Sequence, residues 1–329
     1  MFEGHGVLAL EGDHLDICYG DRSSWPDLTP GGSIKAYTFN LGDPVAGPNI
    51  QLGLMSAVEG ETLDWPHSID PPHHHGSDQF RVISGGEWIL AGKRQTAGEY
   101  SFQEAGRIYR EHPGAGGAAW MLLVMGDRRG TQSTLAVEKD KETLFDSGEL
   151  FGVAVEGLPY PHPAGDRGIP AIATTRGACR NGYLRGRIAA LGLGETEYGS
   201  LSGVFGDAAA GPIVHILSVS ADRIAIPACS VATEMLLLVV SGSCRIGAGR
   251  YAAGEMRVQR ANAMLDDVVA ESDGVEIVLL VADRRAQLVA RDGADRLPGW
   301  AYNAEELASA VDSRVTVRGG PRRSVLGVI

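Results

Sequence analysis

The chain has 329 residues, which at about 150 residues per domain predicts two domains, and its 44% hydrophobic and 21% charged residues exclude a disordered or fibrous protein. A net charge of −12 without a basic patch argues against a nucleic-acid partner. No apolar run approaches the ~18 residues of a membrane span, and residues 1–16 lack the basic and apolar regions of a signal peptide.

Taken in chain order, the sequence divides into five segments. Residues 1–30 show little periodicity and are predicted to form an N-terminal arm. Residues 31–130 and 171–290 contain short apolar, β-branched or aromatic runs separated by glycine-containing turns, which is typical of a β-sandwich or a small barrel. A charged and then proline-rich stretch over 131–170 predicts a linker. Residues 291–329 are predicted to be a C-terminal extension with one short helix.

The two β-rich segments are copies of one another. Residues 84–85 align with 241–242 (Ser-Gly in both) at an offset of 157 residues. Residues 98–99 align with 254–255 (Gly-Glu in both) at an offset of 156, which predicts one deleted residue in a turn. The triplet Asp-Arg-Arg ends each copy. The chain is therefore predicted to be a tandem duplication.

Three consecutive histidines open the first copy, in the run HHHGSDQ over 73–79. Alternate side chains of an extended segment share a face, so His73 and His75 are expected to point the same way and His74 the opposite way. After a three-residue turn, Gln79 begins the next strand. Two imidazoles from one strand and a side-chain oxygen from its neighbour are able to bind one metal ion.

This run resembles the first motif of the cupin superfamily, in which HXH is followed after a short turn by Glu. His73 and His75 stand at the two histidine positions and Gln79 at the glutamate position. In the second motif of the family, Tyr109 stands where the third histidine ligand is found, and Glu104 replaces a proline. The resemblance covers both copies, so it implies an all-β bicupin with two tandem double-stranded β-helix (jelly-roll) barrels. It also implies a divalent metal ion (Fe, Mn, Ni or Zn) bound to His73, His75 and Gln79.

The third histidine of the family is absent, and two residues are candidates for its place. Tyr109 is expected to face the site. His112, three residues later in a turn-like segment, is a further candidate metal ligand. Tyr109 and His112 are also the candidate catalytic residues, as a general acid or base beside the metal.

The second copy has no comparable polar set, since its equivalent strand IPACSVATEM contains no histidine. The aligned pairs are Gln79 with Met235 or Leu236, Arg81 with Leu237 or Leu238, Tyr109 with Leu265, and His112 with Val268. The first barrel is thus expected to keep a polar site, while 228–238 and 265–268 fill the second barrel as apolar core.

Arg81 is the candidate substrate-binding residue. It lies two residues beyond Gln79 on the same strand and is expected to face the barrel interior. A buried guanidinium needs an anionic partner. A substrate carboxylate, held by two parallel N–H groups, is one candidate. An internal ion pair with Glu99 or Glu104, or a strand twist that exposes Arg81 to solvent, are the alternatives.

These features favour a metal-dependent enzyme, of dioxygenase, lyase or isomerase type, that acts on a small anionic metabolite in the first barrel. A non-catalytic small-ligand sensor is one alternative. A structural protein resembling seed-storage bicupins is another, although the polar interior of the first copy argues against it. Four scattered cysteines without a CxxC pair indicate reduced thiols in a cytoplasmic protein. Open strand edges and exposed arms favour a homodimer.

Overall fold

The secondary structure of the protein is almost entirely β-strand. The computed structural model describes residues 12–20, 34–56, 73–90, 92–107, 109, 111–114, 118–131, 133–135, 173–174, 177–178, 183–191, 198–207, 209–286 and 288–290. Short 3-10 helices lie at Arg128–Gly130 and Ile188–Leu191. Within the described ranges, no helix has the length and apolar character needed to cross a membrane. The short C-terminal helix, predicted over 304–313, lies outside the described residues.

The strands are numbered in chain order. Those of the first half are β1 (His14–Cys18), β2 (Ile34–Asn40), β3 (Asn49–Ser56), β4 (His73–His75), β5 (Gln79–Leu90), β6 (Lys93–Thr96), β7 (Glu99–Gln103), β8 (Glu111–Pro113), β9 (Ala118–Met125) and β10 (Ser133–Leu135). Those of the second half are β11 (Ala173–Thr174), β12 (Gly177–Ala178), β13 (Tyr183–Arg187), β14 (Tyr198–Val204), β15 (Ile213–Val219), β16 (Ile224–Ile226), β17 (Cys229–Val231), β18 (Met235–Ile246), β19 (Gly249–Ala252), β20 (Glu255–Gln259), β21 (Val268–Val281) and β22 (Leu288–Ala290).

Two antiparallel sheets form two barrels. The first has the strand order β13-β7-β5-β9-β3-β2, with β6 and β8 also paired to β5. The second has the order β1-β20-β18-β21-β15-β14-β11-β12, with β16 paired to β21 and β19 to β18. Each half adds a two-stranded sheet, β4–β10 in the first and β17–β22 in the second. The arrangement confirms the prediction of an all-β chain with two tandem barrels.

Each barrel is extended by a strand from the other half. β1 pairs with β20 of the second barrel, and β13 pairs with β7 of the first. The two additions are equivalent, since His14 lies opposite Gln259 and Tyr183 lies opposite Gln103. The domain boundaries predicted from the sequence do not include this exchange, because they assign β1 to an arm and β13 to the second domain. They also assign β10 to the linker, although β10 pairs with β4.

The two copies match at a single offset through these strands. Gln79 and Met235 begin equivalent strands, and each strand is then interrupted by a bulge at the same place. Gly86 and Gly242 follow the bulges with positive φ of 70° and 72°, a conformation that favours glycine. Both pairs are 156 residues apart, so the predicted deletion and the offset of 157 at Gly85 are wrong.

A shared apolar core joins the barrels. Phe80 and Phe102 of the first barrel pack against Phe205 of the second, with ring centroids 6.3 and 5.8 Å apart. Since Phe80 faces this core, strand alternation turns its neighbours Gln79 and Arg81 towards the interior of the first barrel. The shared core therefore sets which residues of β5 line the candidate site.

Two equivalent carboxylates cross the junction between the barrels. Asp78 accepts a hydrogen bond from the backbone N–H of Gly206 at 2.9 Å, and Glu234 accepts one from that of Gly42 at 3.0 Å. Both glycines have positive φ, 74° and 66° respectively. A Cβ on Gly206 would lie 2.2 Å from the carbonyl oxygen of Gly126, so this approach requires glycine.

The repeated Asp-Arg-Arg triplet adds a second pair of contacts across the junction. Arg129 reaches Asp207 of the second half at 2.8 Å, and Arg285 reaches Asp43 of the first half at 2.7 Å. The first arginine of each triplet, Arg128 or Arg284, donates to a backbone carbonyl group of its own half. The triplets thus hold the two halves in a nearly two-fold arrangement.

We expect Asp78→Asn to lower the free energy of unfolding by about 2–3 kcal/mol, because one amide oxygen replaces two carboxylate oxygens that accept from Gly206 and Ala105. Urea unfolding followed by tryptophan fluorescence measures the change. Glu234→Gln is the matched control, and its smaller expected loss reflects the partial exposure of Glu234. An equal loss of unfolding free energy in the two variants would contradict the larger role of Asp78.

Candidate functional site in the first barrel

His73, His75 and Tyr109 form the centre of the polar interior. The ring of Tyr109 lies 4.5 Å from that of His73 and 6.2 Å from that of His75, and the two imidazoles are 5.1 Å apart between centroids. Backbone hydrogen bonds between His73 and Tyr109, at 3.0 and 2.9 Å, fix this approach. All three side chains are buried. The strand register predicted for His73 and His75 accounts for the convergence of their rings on Tyr109.

The tautomer of His75 follows from its hydrogen bond. Its Nδ1 lies 2.8 Å from the carbonyl oxygen of Thr131. A carbonyl only accepts, so Nδ1 carries the hydrogen and the lone pair is on Nε2. Burial and then the neighbouring His73 hold the pKa of His75 well below its usual value, which keeps the ring neutral. A neutral imidazole fixed through its other nitrogen is the form that binds metal ions.

Gln79 is coupled to Tyr109. The phenol of Tyr109 donates to Oε1 of Gln79 at 3.2 Å, and both side chains are buried. An amide oxygen has two lone pairs, so Gln79 keeps one acceptor position free for a ligand or an ion. The two departures from the family pattern, Gln for Glu and Tyr for His, are therefore joined by one hydrogen bond.

Arg81 lies in the barrel interior with 1% of its surface exposed. Its Nε is 3.4 Å from the carboxylate of Glu111, and its Nη1 donates to Gln103 at 3.2 Å. The same carboxylate oxygen of Glu111 accepts from the indole of Trp88 at 3.1 Å. The guanidinium carbon lies 4.7 Å from the ring centre of Tyr109, a cation–π contact. Arg81 thus connects the ion pair to the histidine centre.

The internal partner of Arg81 is Glu111, whereas the sequence suggested Glu99 or Glu104. Glu99 instead binds Arg185 of the exchanged strand β13 at 2.8 Å. Burial lowers the pKa of Arg81, but the charge of Glu111 together with the interactions with Tyr109 and Tyr183 offsets this effect, and the pKa lies above its ordinary value. A signal for Glu111 was present in the sequence, because Asp267 stands 156 residues later at the matching position.

His112 lies next to Glu111 on β8, where its backbone pairs with Ile89. The position of its side chain lies outside the described residues. The roles of His112 as metal ligand and of Tyr109 and His112 as catalytic residues therefore stay predictions.

The second barrel has an apolar interior at the equivalent positions. These residues belong to one buried cluster: Cys229, Val231, Met235, Leu237, Leu265 and Val268. One imidazole, that of His215, is buried beside them and lies 2.8 Å from the hydroxyl of Ser202. Burial lowers the pKa of His215 to about 3, so its ring is a neutral, hydrogen-bonded core group. The difference between the barrels predicted from the sequence is present in the structure.

No protein-family model matches the sequence, and no curated protein matches it. Among solved structures, the chain is similar to a salicylate 1,2-dioxygenase from Pseudoaminobacter salicylatoxidans with gentisate, at 12% identity and a TM-score of 0.50 over 84% of this chain and 85% of that one. A second structure of that enzyme is 11% identical, with a TM-score of 0.50 over 85% of this chain and 88% of that one. An oxalate decarboxylase variant from Bacillus subtilis is 13% identical, with a TM-score of 0.43 over 88% of this chain and 81% of that one. The chain has the bicupin fold.

The fit of the site to a metal ion depends on two imidazoles. Two imidazoles bound to one ion at nearly a right angle, with Zn–N distances of about 2.0–2.1 Å, place their ring centroids about 4.5–5 Å apart, close to the spacing of His73 and His75. The free lone pair of Gln79 adds a neutral oxygen ligand. Among the described residues, no group of three His, Cys, Asp or Glu side chains is placed to hold an ion. The residues thus fit a divalent ion with a neutral and incomplete ligand set.

Glu104 stands at the proline position of the second cupin motif, which this sequence resembles. Burial and then the charge of Asp78 raise the pKa of its carboxyl from 4.5 to about 7, against the opposing charge of Arg107. The folded protein therefore favours the protonated form of Glu104. The stability that this form provides is fully present below pH 4.5 and is lost as the pH rises through about 7.

We expect Glu104→Gln to be more stable than the parent at pH 8 by about 2 kcal/mol, and equal to it near pH 4, because the amide does not ionise. Urea unfolding at the two pH values measures both differences. A gain of the same size at both pH values contradicts the role of ionisation.

Proposed function

We propose that this bicupin is a metal-dependent enzyme that acts on a small anionic metabolite in its first barrel. The observation that carries the proposal is the difference between the copies at equivalent positions. The first barrel buries two imidazoles, an amide, a phenol and a guanidinium, whereas the second fills the same positions with apolar core. Buried polar groups cost stability unless they are paired, so their retention in one copy points to a role other than packing.

A divalent ion would be held by His73, His75 and Gln79, with Tyr109 supporting Gln79 from behind and Thr131 orienting His75. When bound, such an ion supplies Lewis-acid activation of a substrate oxygen and open positions for substrate. Oxygenase, lyase and isomerase reactions all use this kind of centre, and the structures of similar fold include a salicylate 1,2-dioxygenase.

The charge of the site favours an anionic substrate. The ligand groups of His73, His75 and Gln79 are neutral in the form that binds metal. Arg81 and Glu111 neutralise each other. A divalent ion would therefore bring two positive charges into the barrel without a counter-charge from these residues. A carboxylate or enolate substrate balances that charge, and Arg81 adds hydrogen bonds to it.

Metal content tests the proposal directly. Protein purified without nickel resin is expected to contain close to one divalent ion per chain by elemental mass spectrometry, and the double variant His73→Ala/His75→Ala is expected to lose it. The matched control is Cys229→Ala/Val231→Ala, the equivalent pair in the second barrel, which is expected to leave the metal content unchanged. A metal-free parent would overturn the metal-dependent proposal.

Substitution of Arg81 tests the anionic substrate. Arg81→Met leaves Glu111 buried without its partner, which is expected to cost about 3–5 kcal/mol of stability. The double variant Arg81→Met/Glu111→Gln avoids that charge. We expect the double variant to retain metal but to have a raised KM, or no turnover, for an acidic substrate. We expect Arg81→Lys to keep only part of the parent activity, since an ammonium does not reproduce the planar guanidinium. Unchanged binding of every acid in the double variant would assign Arg81 a structural role.

A non-catalytic sensor of a small anion is the second candidate function. It is favoured by the incomplete ligand set, because no third His, Cys, Asp or Glu joins the two imidazoles among the described residues. The metal measurement separates the two functions: a stoichiometric ion favours the enzyme, and an empty parent that still binds acids favours the sensor.

A further inference from the structure

A group of buried polar atoms on β5, β6 and β7 is not used by the metal centre. Among the described residues, Nη2 of Arg81 and Oε1 of Gln95 have no hydrogen-bond partner, and the hydroxyl of Ser101 is paired with Tyr183 alone. The side chains of Arg81, Ser101 and Gln95 are at most 1% exposed. Arg81 and Ser101 lie opposite each other on paired strands. Gln95 lies opposite Trp88, whose indole binds the carboxylate that faces Arg81. The three polar groups therefore belong to the same interior.

Tyr183 of the exchanged strand β13 completes this group. Its hydroxyl is 2.8 Å from Nε2 of Gln95, which occupies the nitrogen of that amide and leaves the oxygen open. Tyr183 is partly buried, lies near the charge of Arg81 and is hydrogen-bonded to the hydroxyl of Ser101. The second half of the chain thus forms one wall of the polar interior in the first barrel.

The second barrel shows how the chain satisfies equivalent positions where no ligand is needed. Arg257 and Tyr251 stand in the places of Ser101 and Gln95. Arg257 donates to Gln259 at 2.9 Å and to Tyr251 at 3.2 Å. These groups bond to one another, whereas the first barrel leaves a donor of Arg81 and an acceptor of Gln95 open. Buried polar groups in folded proteins are normally paired, so the open set points to a bound molecule.

We propose that Arg81, Ser101 and Gln95 form a subsite for a small carboxylic acid that carries a hydroxyl group at its other end. The carboxylate accepts from Nη2 of Arg81 and from the hydroxyl of Ser101, and the far hydroxyl donates to Oε1 of Gln95. Gln95 and Tyr183 are then specificity-determining residues. The inference rests on the proposed function only in taking Arg81 as the anion-binding residue, and it does not require the metal ion.

Calorimetric titration of the full-length protein, with its metal content recorded, tests the subsite. The probes are glycolate, 3-hydroxypropionate and 4-hydroxybutyrate, each compared with its methyl ether, which retains the carboxylate but has no hydrogen to donate. We expect at least one hydroxy acid to bind ten-fold more tightly than its ether. We expect Gln95→Met to reduce that ratio below three-fold while the Kd of the ether stays the same. Tyr251→Phe, at the equivalent position of the second barrel, is the control that changes neither value.

A second variant at the same position keeps the test decisive if Gln95→Met does not fold. Gln95→Glu places a stronger acceptor at the same point, so the preferred ligand is expected to change from the hydroxy acid to the amino acid of the same length, such as β-alanine. His73→Ala/His75→Ala separates this inference from the metal proposal, because discrimination that persists without the imidazoles belongs to the subsite. Failure of every hydroxy acid to bind, or an unchanged ratio in Gln95→Met, overturns the subsite. A metal-free parent that still discriminates the hydroxy acid from its ether overturns the metal-dependent function alone.

Discussion

The carboxylate of Asp78 accepts hydrogen bonds from the backbones of both barrels, from Ala105 in its own and from Gly206 in the other. Asp78 is also the residue directly before Gln79. The turn that separates the histidines from Gln79 is therefore held against the opposite barrel, and Ser77 strengthens it by accepting from the backbone of Asp127. The distance between the two halves of the candidate ligand set depends on this junction. A buried hydrogen bond to a charged group contributes about 1.5–3 kcal/mol, enough to make one arrangement dominant.

The two interiors divide stability and chemistry between them. In the second barrel, apolar side chains from every wall pack into one buried cluster, which contributes stability in proportion to the area it buries. The first barrel replaces part of such a cluster with Arg81, Glu111 and the histidine centre, whose burial costs free energy even when they are paired. The shared core of aromatic residues between the barrels lets the apolar copy support the polar one.

Strand periodicity and the internal repeat were sufficient to predict two β-rich copies, the common face of His73 and His75, and the inward direction of Arg81, whereas the barrel form of the copies came from the resemblance to the cupin superfamily. Each of these depends on local alternation within one strand. Glu111 was not predicted, because its approach to Arg81 depends on the pairing of β8 with β5 and not on alternation within one strand. The exchange of β1 and β13 was missed because pairing at a sheet edge depends on three-dimensional proximity, and neither strand carries a strong pattern of its own. Tyr183 entered the site through that exchange.

The exchange of edge strands explains why a copy without a polar centre persists in the chain. The first barrel is not complete alone, because its edge strand β13, which carries Tyr183, comes from the other half of the chain. Selection on either barrel thus acts on the folding of both. A duplicated gene with this topology is free to vary the interior of one barrel, but it is not free to lose one domain.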